Sequence, residues 1–178
     1  VDLAASRQTS EVPLGFSTFR VVLSRDGGRA WVTGDGDAIV GVDVSGQNGA
    51  SLRLPVPSGS PSNGFVIAPG DTLAYATTYG GDVYEYDLRT RAVRRTFRIP
   101  GRLQEVVVTR DGRELFVANE SGGIEVLDLT TGQVATRLPV GQVFGMALGA
   151  DGNTLFVART QDGAVMAIDR ASRRTLYQ

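Results

Sequence analysis

The chain contains no histidine, no cysteine and no lysine, and only 2 methionines among its 178 residues. Each absence removes a class of chemistry. Without imidazole there is no Ser-His-Asp triad, no histidine general base, and no histidine-ligated zinc, copper or haem within this chain. Without cysteine there are no disulfides, thiol nucleophiles or thiolate clusters, and the redox compartment is left open. All 18 basic residues are arginine, so Schiff-base chemistry on a lysine is excluded as well. No apolar run is long enough to span a bilayer as a helix. The formal net charge of -1 carries no positive excess of the kind that displaces counterions from phosphates, and no nucleic-acid partner is expected. Carboxylate, tyrosine, serine and threonine chemistry remains, and no cofactor or metal is expected.

What the chain has in quantity is glycine, 23 residues, with 7 prolines and 42% hydrophobic content. That mixture suits many short strands joined by tight turns, and no stretch sustains apolar residues at helical spacing. The order is repetitive. Asp2, Asp43, Asp87, Asp128 and Asp169 recur at steps of 41, 44, 41 and 41 residues, and a period of about 40 to 45 residues is that of a four-stranded propeller blade. The fold class is therefore all-β, a propeller of four-stranded antiparallel blades over about 15–57, 58–100, 101–140 and 141–178.

Within each unit the first strand is a short aliphatic run, followed by a turn at Asp26-Gly27, Gly70-Asp71, Asp111-Gly112 or Asp151-Gly152. The second unit reverses the pair. The second strand carries one aromatic per unit, Trp31, Tyr75, Phe116 and Phe156, and the expected role of that column is to fill the wedge between neighbouring blades. The repeated aspartates are expected to cap the turn after the third strand by accepting bonds from amides ahead of them. Pro55, Pro100 and Pro139 end the outer strands, where a missing donor is tolerated. Arg89, Arg91, Arg94, Arg95 and Arg98 lie along one outer strand and its turn, and are expected to form a solvated edge that discourages strand addition.

Residues 1–14 match the end of the third unit in aspartate, turn and Pro-aliphatic ending, so the chain is expected to open on the outer-strand remnant of a preceding blade. With Val1 in place of a methionine, three readings follow: a segment cut from a larger propeller, a small four-bladed ring with one redundant strand, or an open arc that pairs with another copy. The expectation is a cut segment or an associating processed chain over a closed monomer. Open blade edges would then favour self-association.

Residues 115–141, LFVANESGGIEVLDLTTGQVATRLPVG, carry an aromatic-Val-Ala-Asn second strand, an aliphatic third strand ending in aspartate, and an outer strand closing in Pro-Val-Gly. This stretch resembles the YVTN family of β-propeller repeats, the surface-layer type within the quinoprotein amine dehydrogenase β-chain-like superfamily. The resemblance extends over essentially the whole chain, although Asn119 is replaced by Gly34, Thr78 and Arg159 in the other units. It implies a bacterial or archaeal protein that is extracellular, periplasmic or on the cell surface, in a ring of about seven blades. It implies a binding scaffold and transfers no catalytic residue.

Function is expected on the face formed by the loops between second and third strands together with the loops that enter each blade. The candidate binding residues there are Asp35, Asp37, Tyr79, Asp82, Arg102, Gln104, Glu120, Gln142, Phe144, Arg159 and Asp162. Asp35 and Asp37 in GDGDA offer two oxygen ligands of a calcium loop, but Ile39 stands where a third acid would fall, so a glycine-rich turn is expected. The leading expectation is a non-enzymatic module binding a protein, glycan or small molecule. Two alternatives stand beside it: a piece of a hydrolase, lyase or quinoprotein-type oxidoreductase working through carboxylates, and a module whose role is assembly.

Overall fold

A computed structural model of the chain describes Ser6, residues 11–44 and residues 49–177. Over these residues the protein is all-β, with four four-stranded antiparallel sheets arranged as a four-bladed propeller and no helix. Blade 1 holds β1 (Thr18–Leu23), β2 (Arg29–Gly34), β3 (Ala38–Asp43) and β4 (Ala50–Pro55); blade 2 holds β5 (Ser62–Ile67), β6 (Leu73–Thr78), β7 (Asp82–Asp87) and β8 (Ala92–Arg98). Blade 3 holds β9 (Leu103–Val108), β10 (Glu114–Asn119), β11 (Gly123–Asp128) and β12 (Gln133–Leu138), and blade 4 holds β13 (Val143–Leu148), β14 (Thr154–Arg159), β15 (Val165–Asp169) and β16 (Thr175–Tyr177). Each sheet keeps sequence order from its first strand to its fourth, and the first strands β5, β9 and β13 adjoin one another. Asp2 and most of the remnant expected over 1–14 lie outside the described residues.

Asp87, Asp128 and Asp169 cap turns as expected, while most of the turn that follows Asp43 lies outside the described residues. Asp87 Oδ1 accepts from the amides of Arg89 (2.9 Å) and Thr90 (2.8 Å), and Asp128 Oδ1 from those of Thr130 (2.7 Å) and Thr131 (3.0 Å). Asp169 Oδ1 accepts from the Ser172 amide at 2.7 Å and from its hydroxyl at 2.5 Å. The amides of Thr90 and Thr131 hold the first two carboxyls below their ordinary range, and Ser172 does the same for the third. In the hairpins between first and second strands, Gly27, Gly112 and Gly152 take positive φ alone. The reversed pair in blade 2 puts both Gly70 (φ 90°) and Asp71 (φ 55°) there, a conformation that aspartate tolerates better than most residues.

The core lies between blades. Trp31, Tyr75 and Phe116 are buried, each on the face its blade turns to the next one, and Trp31 packs against Phe65 with ring centroids 5.9 Å apart. Tyr75 needs a partner for its hydroxyl, and it donates to Glu85 at 3.0 Å. Glu85 is fully buried and is met by Arg95 Nη2 at 2.5 Å and Arg94 Nη1 at 3.5 Å, while Arg98 pairs with Asp82. The arginines of this run are exposed on the outer strand and its turn, as a solvated edge requires, and they have a second role. Three of its five members neutralise carboxylates on the adjacent strand β7, and Arg95 also lies over the Phe97 ring at 5.0 Å.

Among the described residues, the first and last blades each leave one face without a neighbouring blade. Val21 and Leu23 of blade 1 are 64% and 58% exposed, whereas Val106 and Val108, at the same register in blade 3, are 2% and 9% exposed against blade 2. In blade 4 Val165 is 59% exposed where its counterpart Ile124 is fully buried. Among the described residues the apolar clusters join blades 1 to 2, 2 to 3 and 3 to 4, and none joins blade 4 to blade 1.

Candidate functional site

Arg20, Gly64, Glu105 and Gly145 occupy one register of the four inner strands, each immediately before the aliphatic stretch that packs between blades. Two glycines alternate with an opposed pair of charges. Arg20 Nη1 meets Glu105 Oε2 of blade 3 at 2.8 Å, its Nη2 donates to the Phe144 carbonyl of blade 4 at 3.1 Å, and its Nε donates to Asn63 Oδ1 of blade 2 at 3.4 Å. One guanidinium therefore ties blade 1 to the other three where the inner strands converge. A side chain in place of Gly64 would begin 2.5 Å from the Gln104 carbonyl, whereas one in place of Gly145 would meet only the Ala158 Cβ at 3.7 Å, so close packing excludes bulk at this register in blade 2 and not in blade 4. Burial pushes the Glu105 carboxyl up, and Arg20 opposes that shift.

From this centre a polar chain runs out to the loop face. Asn63 donates to Gln104 Oε1, and Gln104 Nε2 donates to Glu120 Oε1. Asn63 and Gln104 are buried, so each bond satisfies a group shielded from water. Arg102 Nε lies 3.5 Å from Glu120 Oε1, and its guanidinium stacks 3.9 Å from the centroid of the Tyr79 ring. Tyr79 in turn stacks on Phe19 with centroids 5.8 Å apart and planes inclined by 30°. The result is one contiguous surface from three blades: Phe19 from blade 1, Tyr79 from blade 2, and Arg102 and Glu120 from blade 3, with the buried Gln104 bonded to Glu120.

The expected site residues thus divide. Tyr79, Arg102, Gln104 and Glu120 come together. Phe144 enters through its carbonyl, and Gln142 offers its own carbonyl to the Thr160 amide at 3.5 Å. The remaining five are consumed locally. Asp35 accepts from the Ser17 amide at 2.8 Å, Asp37 pairs with Arg53 at 2.5 Å, Asp82 with Arg98, and Arg159 with Asp162 three residues on. The carboxylates of this face are therefore held by separate cations or amides and do not converge on a shared proton or metal. Among the described residues there is no group of three or more acidic side chains placed to hold a metal ion.

Phe19, Arg20 and Asn63 lie in the loops expected to enter the blades but were not among the candidates chosen there, and Glu105 lies just beyond them. The signal for two of them was present, since FRVVLS and QEVVVT place opposite charges at one register of otherwise aliphatic strands. Compared with models of known protein families the chain matches none, and no curated protein matches it.

Proposed function

We propose that the protein is a non-enzymatic binding module that engages a protein partner through the loop face carrying Phe19, Tyr79 and Arg102. The observation that supports this most is the stack itself. Aromatic residues and arginine are enriched at the energetic centres of protein interfaces, where a rigid ring and a planar cation give large contact area with little ordering. Here Arg102 is held in place by both the Tyr79 ring and Glu120, while about half of its side chain faces solvent. The YVTN-type repeat of residues 115–141 agrees with a scaffold role, and with it goes a location outside the cytoplasm. Selecting a phage-displayed peptide library on the protein, with counter-selection on Tyr79→Ala/Arg102→Glu, tests the reading. Enrichment of peptides that discriminate the two supports it, and peptides that bind both alike count against it.

Self-association is a second reading, supported by the exposed apolar faces of blades 1 and 4. Val21 and Leu23 sit in the register of the buried Val106 and Val108, and Val165 in that of the buried Ile124. Head-to-tail packing of blade 4 on blade 1 of a second copy would repeat the contacts already made within the chain. Sedimentation of wild type and Val21→Asp/Val165→Asp separates the outcomes: a dimer lost in the variant supports association, and a monomer at all concentrations removes it.

A further inference from the structure

At the end of the propeller opposite the Tyr79 face, where first strands turn into second strands, the junctions between blades break the repeat in charge. The residue whose Cα pairs with the repeated aspartate is Glu114 in blade 3, opposite Asp128, but Arg29 in blade 1, opposite Asp43. At the blade 3–4 junction Glu114 pairs with Arg173 and lies 3.9 Å from Arg170, both supplied by blade 4. Among the described residues no such ion pair crosses the blade 1–2 junction. Leu88 stands in blade 2 where Arg170 stands in blade 4, each directly after the repeated aspartate, and among the described residues the Arg29 Nε is buried without a hydrogen-bond partner, as Arg173 Nη1 is at the other junction.

A cavity of about 310 Å³ opens at this point. Arg25, Arg29 and Arg89 line it together with Trp31, Ile67 and Leu88, against two aspartates, Asp26 and Asp71. Asp26 is already engaged, accepting from the Ser24 hydroxyl at 2.6 Å and the Gly28 amide at 2.9 Å. Arg29 is held along the wall, its guanidinium 5.9 Å from the Trp31 ring centroid, and Gly41 makes the room, because a Cβ there would lie 3.0 Å from both the Arg29 stem and the Trp31 ring. A partly buried guanidinium beside an apolar wall, with two further guanidinium groups lining the same cavity, is a recognition element for an anion with a hydrophobic body.

We propose that the cavity between blades 1 and 2 binds a small organic anion, a carboxylate or phosphate monoester, with its charge on Arg29 and its apolar body against Trp31, Ile67 and Leu88. Arg25 and Arg89 at the rim favour entry of negative charge. The volume suits a single-ring ligand, being at the lower end of the range for small-molecule sites. The site is separate from the Tyr79 face, and its occupation does not depend on that face having a partner.

Trp31 is the chain's only tryptophan and reports on the cavity directly. Its emission is followed while benzoate, phenyl phosphate, inorganic phosphate and the neutral benzamide are titrated into wild type, Arg29→Gln and Arg89→Gln. Saturable change with benzoate or phenyl phosphate at a dissociation constant below about 1 mM is expected, and the tighter of the two identifies the anionic group. Inorganic phosphate, lacking the apolar body, binds more weakly than phenyl phosphate. Benzamide does not saturate. Arg29→Gln weakens binding about tenfold or more, as loss of a charge-assisted bond does, and Arg89→Gln, an exposed rim change that leaves the fold untouched, weakens it severalfold. Absence of saturation with both aromatic anions, equal binding of benzamide, or unaltered affinity in both variants overturns the proposal.

Discussion

Arg20 and Glu105 form an ion pair of 2.8 Å between blades that are not neighbours, at the register where blades 2 and 4 carry glycine. Most charged contacts in the protein join adjacent strands of one sheet, as Arg95 and Glu85 do, or neighbouring blades, as Arg173 and Glu114 do. This one bridges blades 1 and 3 across the inner strands, behind the rim that carries Phe19, Tyr79 and Arg102.

Arg20→Met leaves Glu105 mostly buried and without its cation. The expected loss in urea denaturation at pH 7 is about 1–3 kcal/mol, below the value for a fully buried pair because the arginine keeps partial access to water. The loss shrinks at pH 4. Glu105 already has its carboxyl raised by burial, and once protonated it no longer needs the cation. Arg20→Met/Glu105→Leu recovers most of the stability at pH 7, and a double variant as unstable as the single would contradict the pairing.

The turn caps set the acid limb. Asp87, Asp128 and Asp169 have folded values below their ordinary one, so their contribution is fully present above the unfolded value of about 3.8 and is lost as pH falls through the folded values. Replacing all three by asparagine keeps an acceptor for the turn amides but removes the titration. The urea midpoint of this variant is expected to fall less than that of wild type between pH 5 and pH 2.

Tyr75 sets part of the alkaline limb. Burial first, and the Glu85 charge second, push its phenol up to about 12. The unfolded phenol ionises from about pH 10, so stability from this group is present below 10 and is lost as pH rises toward 12. Tyr75→Phe is expected to flatten that decline and to lose about 1 kcal/mol at pH 7 through the bond to Glu85. Tyrosinate absorbance against pH, beside denaturation at each pH, checks both.

The architecture was legible because it is written in local, repeated terms. Aspartate caps and glycine turns depend on neighbours a few residues away, and they recur with the blade, as does one aromatic per second strand. The reversed Gly70-Asp71 pair was visible as a departure, and it proved to be a turn with two left-handed residues. The site was legible only in part because its contacts are between blades. Tyr79 and Arg102 are drawn together by a cation and a ring whose meeting depends on side-chain reach, while Asp35, Asp82 and Asp162 looked equally available and found local partners. The arginines of β8 are exposed as expected, and what was not legible was the buried Glu85 on the strand beside them.

The apolar faces at the two ends supply a further expectation. Val21→Asp and Val165→Asp change side chains that are mostly exposed, so as single variants they leave the melting temperature within a few degrees of wild type. Val106→Asp, at the same register as Val21 but inside the blade 2–3 core, prevents folding. Differential scanning calorimetry of the three proteins checks the contrast.

The most direct test of the binding role is the affinity of a peptide selected on the loop face for wild type, Tyr79→Ala and Arg89→Ala, measured by calorimetry alongside thermal melts. Tyr79→Ala is expected to lose at least about 2 kcal/mol of binding, as removal of a central interface residue does, with melting almost unchanged, and Arg89→Ala on the opposite end is expected to bind as wild type. Equal affinity of wild type and Tyr79→Ala would contradict the assignment of this face as the binding surface.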